Sequence, residues 1–234
     1  LPHSMPPFTH CPCLLALDAS TERWSVAVQR GAALWEVGGA GGAATSAQLL
    51  PAITALVARA GLRFVDLHAV VVGCGPGTFT GVRTACAVAQ GLAFGAQVPV
   101  LPVSSLLAVA EQARAQYGCT DVLAVLDARM TEVYHAHYRY RAGRWNDEAP
   151  PGLCAPEALV HTPSPDCVVA GNAQPVYGAQ LLALARHVAT LPSASALLRL
   201  APALWAQTVP AAQALPHYVR NKVAQTSAER AAAA

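Results

Sequence analysis

An α/β fold in two lobes, each built on a mixed sheet, is the architecture this sequence predicts. Three observations lead there. A short apolar strand running into an acidic turn and then an alternating strand occurs twice, around Asp18 and around Asp127. The run Ala69 to Cys74 is apolar and rich in β-branched residues, the character of a parallel strand buried on both faces. Stretches at helical spacing separate such strands, as parallel crossovers require.

In chain order, Leu14 to Ala19 reads as the first strand and ends in Asp18-Ala-Ser-Thr21. Trp24 to Gln29 alternates as a second strand, Gly31 turns the chain, and Ala33 to Val37 forms a third. Gly38 to Ala44 reads as a glycine-rich loop. Ser46 is placed to cap a helix running to Ala60, with Leu49, Ile53, Leu56 and Ala60 on one face. After the strand Ala69 to Cys74 come the loop Gly75 to Thr80, a helix from Gly81 to Gly95 and a strand from Val98 to Leu101. The second half starts alike. Val122 to Asp127 is a strand, Glu132 to Arg139 its hairpin partner, and Arg144 to Leu153 continues irregularly. Cys167 to Ala170 is a further strand opening into Gly171-Asn172-Ala173. Helices are predicted over Ala155 to Val160, Val176 to Ala189 and Ser195 to Gln207. Two halves that begin this way suggest a duplicated ribonuclease-H-like unit.

Composition narrows the function classes. The 234 residues are 54% hydrophobic and only 12% charged, which excludes global disorder. A formal charge of +2 gives no basic field, so a dedicated DNA-binding protein is disfavoured. Thr84 to Ala110 is uncharged, but Gln90, Gln97, Pro99, Pro102, Ser104 and Ser105 interrupt it, which fits a buried helix, strand and helix better than a membrane span. The first 13 residues are Pro-rich and lack the apolar core of a signal peptide. Seven cysteines with no C-x-x-C pair read as reduced thiols of a cytoplasmic protein, with neither a disulfide framework nor a structural zinc site expected. His135 and His137 alternate on one strand but lack an evident third ligand, so no metal site is expected.

Three segments carry possible chemistry. Gly75-Pro76-Gly77-Thr78-Phe79-Thr80-Gly81-Val82-Arg83 joins a buried strand to a helix. Its glycines permit close approach, Thr78 and Thr80 offer hydroxyls, and Arg83 adds charge at a helix start, so it can hold an anion. Equally, the glycines shape a tight crossover and Thr80 caps the helix. It is not a Walker A loop. Asp18 and Thr21 could hold a hydrated Mg²⁺ and phosphate, or Asp18 could simply bond turn N–H groups. Asp127, Arg129 and Glu132 could form a charge-assisted network at the second turn. On the helix after the glycine loop, Ala85, Ala89 and Ala93 form a smooth ridge with Gly81 one turn earlier; such a ridge packs on the chain's own sheet or on another subunit. Arg220, Lys222 and Arg230 near the end could touch RNA phosphate within an assembly.

In order and spacing, Leu15-Ala-Leu-Asp18-Ala-Ser-Thr21, Ser46-Ala-Gln-Leu-Leu-Pro51, the string Gly75 to Arg83, Asp127-Ala-Arg-Met-Thr-Glu-Val-Tyr134 and Pro216-His-Tyr-Val-Arg220 resemble the TsaB (YeaZ) family from about Leu14 to Ala224. The resemblance implies a two-lobed actin-like fold: residues 1–13 an extension, 14–102 the first lobe, 103–224 the second, 225–234 a flexible tail. It also implies a role in making N6-threonylcarbamoyladenosine beside the tRNA anticodon. The implied role is that of a non-catalytic subunit pairing with the paralogue TsaD, which holds the catalytic metal, and with the ATPase TsaE. ATP and Mg²⁺ would then be used by the assembled complex rather than held tightly by this chain, and tRNA would be met through the complex. The family's pairing surface, carried here, falls on the two first-lobe helices, with Leu49, Ala52, Ile53, Leu56, Gly81, Ala85, Ala89 and Ala93 as expected contacts; a homodimer could use the same helices. Asp18, Thr21, Gly75, Gly77, Thr78, Thr80, Arg83, Asp127, Arg129 and Glu132 become a degenerate nucleotide or anion site. Many members carry His where this chain has Thr45. The alternative is an actin-like ATPase or kinase using Asp18, Thr21, Gly77 and Asp127 around Mg-ATP.

Overall fold

The computed structural model describes residues 12–42, 44–159, 164, 166–181 and 186–220. Alternation and β-branching place strands close to where the sequence predicts them. β1 (Cys13–Asp18), β2 (Arg23–Arg30) and β3 (Ala33–Ala40) form an antiparallel meander. β4 (Ala69–Gly73), whose residues are all buried, pairs parallel to β1, and β5 (Val100–Val103) parallel to β4. The first sheet thus has the order β3-β2-β1-β4-β5. Its crossovers are α1 (Thr45–Arg59) and α2 (Phe79–Ala96). Gln97 ends α2 in the left-handed conformation, at φ 57°, with its N–H returned to the last turn. α3 (Ser105–Tyr117) leads out and ends on Gly118, also left-handed.

The second half repeats the plan. β6 (Asp121–Arg129), β7 (Glu132–Arg141) and β8 (Arg144–Cys154) form the meander. β9 (Val168–Gly171) runs parallel to β6 and β10 (Arg186–Ala189) parallel to β9, giving β10-β9-β6-β7-β8. Among the described residues between them are the short helix α4 (Gln174–Tyr177) and a 3₁₀ turn, Gly178–Gln180. The last helix, α5 (Ala194–Leu204), starts at Ser193, whose hydroxyl accepts from the Ala196 N–H at 3.1 Å.

Four expectations are corrected. The helix predicted over Val176 to Ala189 is not formed: Tyr177 ends α4, and Arg186 to Ala189 is the edge strand β10, with residues 182–185 outside the described set. Apolar runs of this length suit either state, and parallel pairing with β9 decided it. The helix at Ala155 is a single 3₁₀ turn, Pro156–Ala158, and Val160 lies outside the described residues. β8 is a continuous strand despite its prolines, because it sits at the sheet edge where missing donors face outward. β3 likewise runs on to Ala40 because Gly38, Gly39 and Ala40 pair with Ser25, Trp24 and Arg23 of β2; glycine is needed at 39, where a Cβ would press on the Trp24 indole at 2.9 Å.

Apolar layers cover both faces of the first sheet. One face of the first sheet packs Leu15, Leu17, Val70 and Val72 against α1 and α2. Its other face packs Leu14, Ala16 and Val71 into a core shared with α3, α5 and the inner face of the second sheet. α5, placed in the second lobe by chain position, therefore packs on β1, β2 and β4. The residues that follow it return to the first lobe, where Val209 bridges Val100 and the Ala214 carbonyl accepts from Gln90 Nε2 at 3.1 Å, before Arg220 reaches Glu132 of the second. The tail 225–234 lies outside the described residues, as do residues 1–11.

Candidate functional site

Parallel strands leave their C-terminal ends open, and in this fold both sheets direct those ends, with the acidic turns, to the cleft between the lobes. The cavity there measures about 430 Å³ and is lined by Pro76, Gly77, Asp127, Tyr134 and Arg220 among others. The second acidic turn lines it through Asp127, Ala128 and Arg129, whereas Ala19, Thr21 and Glu22 of the first line a neighbouring cavity that Arg129 also reaches.

Asp18 is sealed rather than presented. It is 1% exposed. Its Oδ1 accepts from the N–H and hydroxyl of Ser20, at 2.9 and 2.8 Å, and its Oδ2 from Ser105 Oγ at 3.2 Å. Ser105 Oγ also accepts from the Gly75 N–H at 3.2 Å, so this one carboxyl ties the start of α3 to both first-lobe loops. Burial pushes the Asp18 pKa up, against the bonds from Ser20 and Ser105 that pull it down. Thr21 is also buried, its hydroxyl bonded to the Arg23 backbone.

The glycine loop packs on its own chain. A Cβ at Gly77 would run into the Ser20 carbonyl, and one at Gly81 into that of Ala19. Thr78 N–H donates to Ser20 O at 2.7 Å, and neither Thr78 nor Thr80 caps α2 through its side chain. Gly75, at φ 99°, faces the His217 carbonyl. The close approach that the glycines permit is thus between loop and strand end. Arg83 is held by aromatic neighbours: its guanidinium lies 3.5 Å from the Phe79 ring centroid and its Nε donates to Tyr218 Oη at 2.6 Å.

The second turn forms the predicted network with one change of partner. Asp127 pairs with Arg129 at 3.1 Å and accepts from Tyr177 Oη at 2.8 Å, while its N–H donates to Asn172 Oδ1 at 2.9 Å. Glu132 pairs with Arg220 instead of Arg129. Arg220 further donates to the Ala128 carbonyl at 3.1 Å, steadying a turn in which Arg129, Met130 and Thr131 all have positive φ. Arg220 is therefore turned inward rather than free for RNA; Lys222 and Arg230 lie outside the described residues. Across the cleft, Asn172 Nδ2 donates to Glu22 Oε2 at 2.7 Å, closing first lobe on second. Asn172, Tyr177, Ser105 and Tyr218 were not among the predicted site residues; the Gly171-Asn172 pair and the Pro216-His-Tyr-Val-Arg220 motif gave the sequence signals for Asn172 and Tyr218.

The helix pair needs the largest correction. Leu49, Ile53, Ala85, Ala89 and Ala93 are 0% exposed and Leu56 is nearly so, all packed on the first sheet; Ala52 and Gly81 are half-buried. The alanine ridge is the helix's inner row. The outer row lies beside it: Ala87, Gly91 and Gly95 are exposed at i, i+4 and i+8, with Phe94 80% exposed and Leu50 of α1 48% exposed. Thr45 to Ala58 carries no charge, and Arg83 is the one charged residue of α2. A second correction concerns metal ligands: His137 does have partners of ligating type, Asp121 and Cys167. Among the described residues no helix is long and apolar enough to cross a membrane.

The duplicated meander-plus-parallel plan and the cleft between define a two-lobed actin-like protein. Residues 42–175 match the family model described as TsaD, tRNA N6-adenosine threonylcarbamoyltransferase. The chain is 36% identical to the tRNA threonylcarbamoyladenosine biosynthesis protein TsaB of Escherichia coli over 228 residues, 90% of this chain and 96% of that protein. It is 34% identical to the Haemophilus influenzae protein of the same name, covering 90% and 94%. YeaZ from Pseudomonas aeruginosa superimposes with a TM-score of 0.84 at 37% identity, over 88% of this chain and 99% of that one. The chain belongs to the TsaB (YeaZ) family.

Proposed function

We propose that this chain is a non-catalytic subunit of the cytoplasmic assembly that makes N6-threonylcarbamoyladenosine in tRNA, and that it pairs with a TsaD-type subunit through the outer faces of α1 and α2. The observation that carries the reading is the pair Gly91 and Gly95. Both are exposed, Gly91 in the helix interior, where glycine costs about 1 kcal/mol relative to alanine, and Gly95 in its last turn, and a Cβ at either would meet nothing within 4 Å. Packing within the chain gives no reason for them; a second helix approaching along Ala87, Gly91 and Gly95 does. The near absence of charge on both outer faces supports the same docking, and Phe94 and Leu50 supply apolar anchors.

The sealed Asp18 supports a subunit without its own Mg-ATP chemistry, since each of its oxygens is held by protein donors. ATP and Mg²⁺, the ATPase TsaE and tRNA are met in this reading through the assembled complex. Without its partner, the same face would pair with a second copy. The test is co-elution with purified TsaD, followed by tRNA modification in the reconstituted system. Gly91→Trp should raise the pairing Kd at least tenfold, about 1.4 kcal/mol, and lower modification in parallel. Gly91→Ala should stabilise the isolated chain by about 1 kcal/mol. Unchanged pairing by a folded Gly91→Trp chain would overturn the proposal.

A further inference from the structure

We propose that Asp121, His137 and Cys167 form a binding site for one zinc-type divalent cation inside the second lobe. His137 Nε2 lies 2.6 Å from Asp121 Oδ1 and 4.0 Å from Cys167 Sγ, and the three ligand atoms lie within 4.8 Å of one another. All three residues are buried. The sheet itself brings them together. Asp121 opens β6, His137 stands in β7 opposite Leu123, and Cys167 immediately precedes Val168, which is paired with Val122.

The carboxylate is held as a metal ligand's carboxylate is held. Asp121 Oδ2 accepts from Arg139 Nε and from Ser164 Oγ, both at 2.8 Å, which leaves Oδ1 turned toward the imidazole and the thiol. Arg139 is also shared with Glu148, at 3.4 Å. Zinc bonds of about 2.0–2.1 Å to nitrogen and oxygen and about 2.3 Å to sulfur put tetrahedral donors roughly 3.4 to 3.6 Å apart. The present separations straddle those values, so shifts of under about 1 Å admit the ion.

The geometry also separates this site from a nucleophilic triad. There, a base uses one ring nitrogen for the thiol and the other for the orienting acid. Here Asp121 and Cys167 address the same nitrogen, which is the arrangement one shared ion replaces. On binding, the ion displaces the proton between His137 and Asp121 and the proton of the Cys167 thiol, and both leave to solvent. A carboxylate, an imidazole and a thiolate together favour zinc over Mg²⁺ or Ca²⁺, and a water completes the coordination. The ion would staple β6, β7 and the approach to β9, away from the α1–α2 face.

The experiment uses the full chain, stripped with a chelator and titrated with Zn²⁺ against a chromophoric competitor, with Co²⁺ as the spectroscopic probe. One equivalent of Zn²⁺ is expected, and Co²⁺ should give tetrahedral visible bands and a thiolate-to-cobalt charge-transfer absorption. Cys167→Ser preserves side-chain size; it should abolish the charge-transfer absorption and weaken Zn²⁺ by more than about 10–100-fold, the loss typical of an outer partner alone. Ser164→Ala, which removes such a partner, should weaken Zn²⁺ within that range, and Cys154→Ser should leave binding unchanged. Zn²⁺ affinity unaltered in Cys167→Ser, or no stoichiometric tetrahedral signal from the folded wild-type chain, would overturn the proposal.

Discussion

The two sheets share one plan, yet the acid at the tip of the first strand is held by different partners in each: hydroxyls and backbone around Asp18, an arginine and a tyrosine around Asp127, whose side chain is itself only 6% exposed. Asp18 is enclosed by Ser20, Ser105 and the backbone at Gly73, where a Cβ would run into its Oδ2. Asp127 stands at the edge of the cleft, paired with an Arg129 side chain that is 70% exposed. The strand beside each acid ends in glycine, for different reasons. Gly73 yields to a side chain. Gly171, at φ 146°, yields to the Val125 carbonyl. The lesson is that duplicated topology preserves strand order and the small residue at the crossover, while the chemistry of each turn follows from what encloses it. The outer layers differ correspondingly: α1 and α2 cover the first sheet, and among the described residues the short α4 and the 3₁₀ turns beside Leu159 and Leu181 pack on the second.

Substitutions at the two glycines test this contrast most severely. Gly171→Ala meets backbone and needs a left-handed φ, so it should cost about 3 kcal/mol or more, read from urea midpoints. Gly73→Ala should cost about 2 kcal/mol. Only the latter should be relieved by a second change: Asp18→Ala added to Gly73→Ala should recover about 1 kcal/mol of coupling. Equal coupling at both glycines would erase the distinction.

Asp18→Asn sharpens it through pH. Because burial raises the folded-state pKa of Asp18, its contribution is fully present below the unfolded carboxylate range and is lost as pH rises through the raised value. The variant should therefore begin about 1 kcal/mol less stable near pH 3 and gain on the wild type as pH rises. A gap that widens with pH would show the carboxylate to be the stabilising form. Smallest of all, Asp127→Asn should cost about 1 kcal/mol: an amide oxygen can still accept from Tyr177 Oη and the Arg129 N–H, and the ion pair lost is with an exposed arginine.

Legibility follows the range of the interactions. The strands β1, β2, β4, β6 and β7 and the helices α1, α2 and α5 were readable because period and β-branching are local properties. The stretch after Tyr177 was not, because a short apolar run becomes edge strand or helix according to whether a sheet edge lies beside it. The site was readable as motifs but not as contacts. The Gly75 to Arg83 string was found, yet which atoms its glycines admit, Ala19 and Ser20 carbonyls, depends on packing. The outer ridge of α2 was missed by two positions: alanine at 85, 89 and 93 and small residues at 87, 91 and 95 follow the same spacing, and only the sheet decides which row it buries.

By itself, then, the sequence determined the duplicated α/β plan, the absence of a strong charge field and the family motifs, because composition and periodicity are carried by neighbouring residues. Tertiary structure alone decided that Asp18 is enclosed, that Glu132 answers Arg220, which flank of α2 faces outward, and that Asp121, His137 and Cys167 meet. Each of those depends on residues far apart in the chain, brought within a few ångströms by strand register, a relation no local pattern encodes.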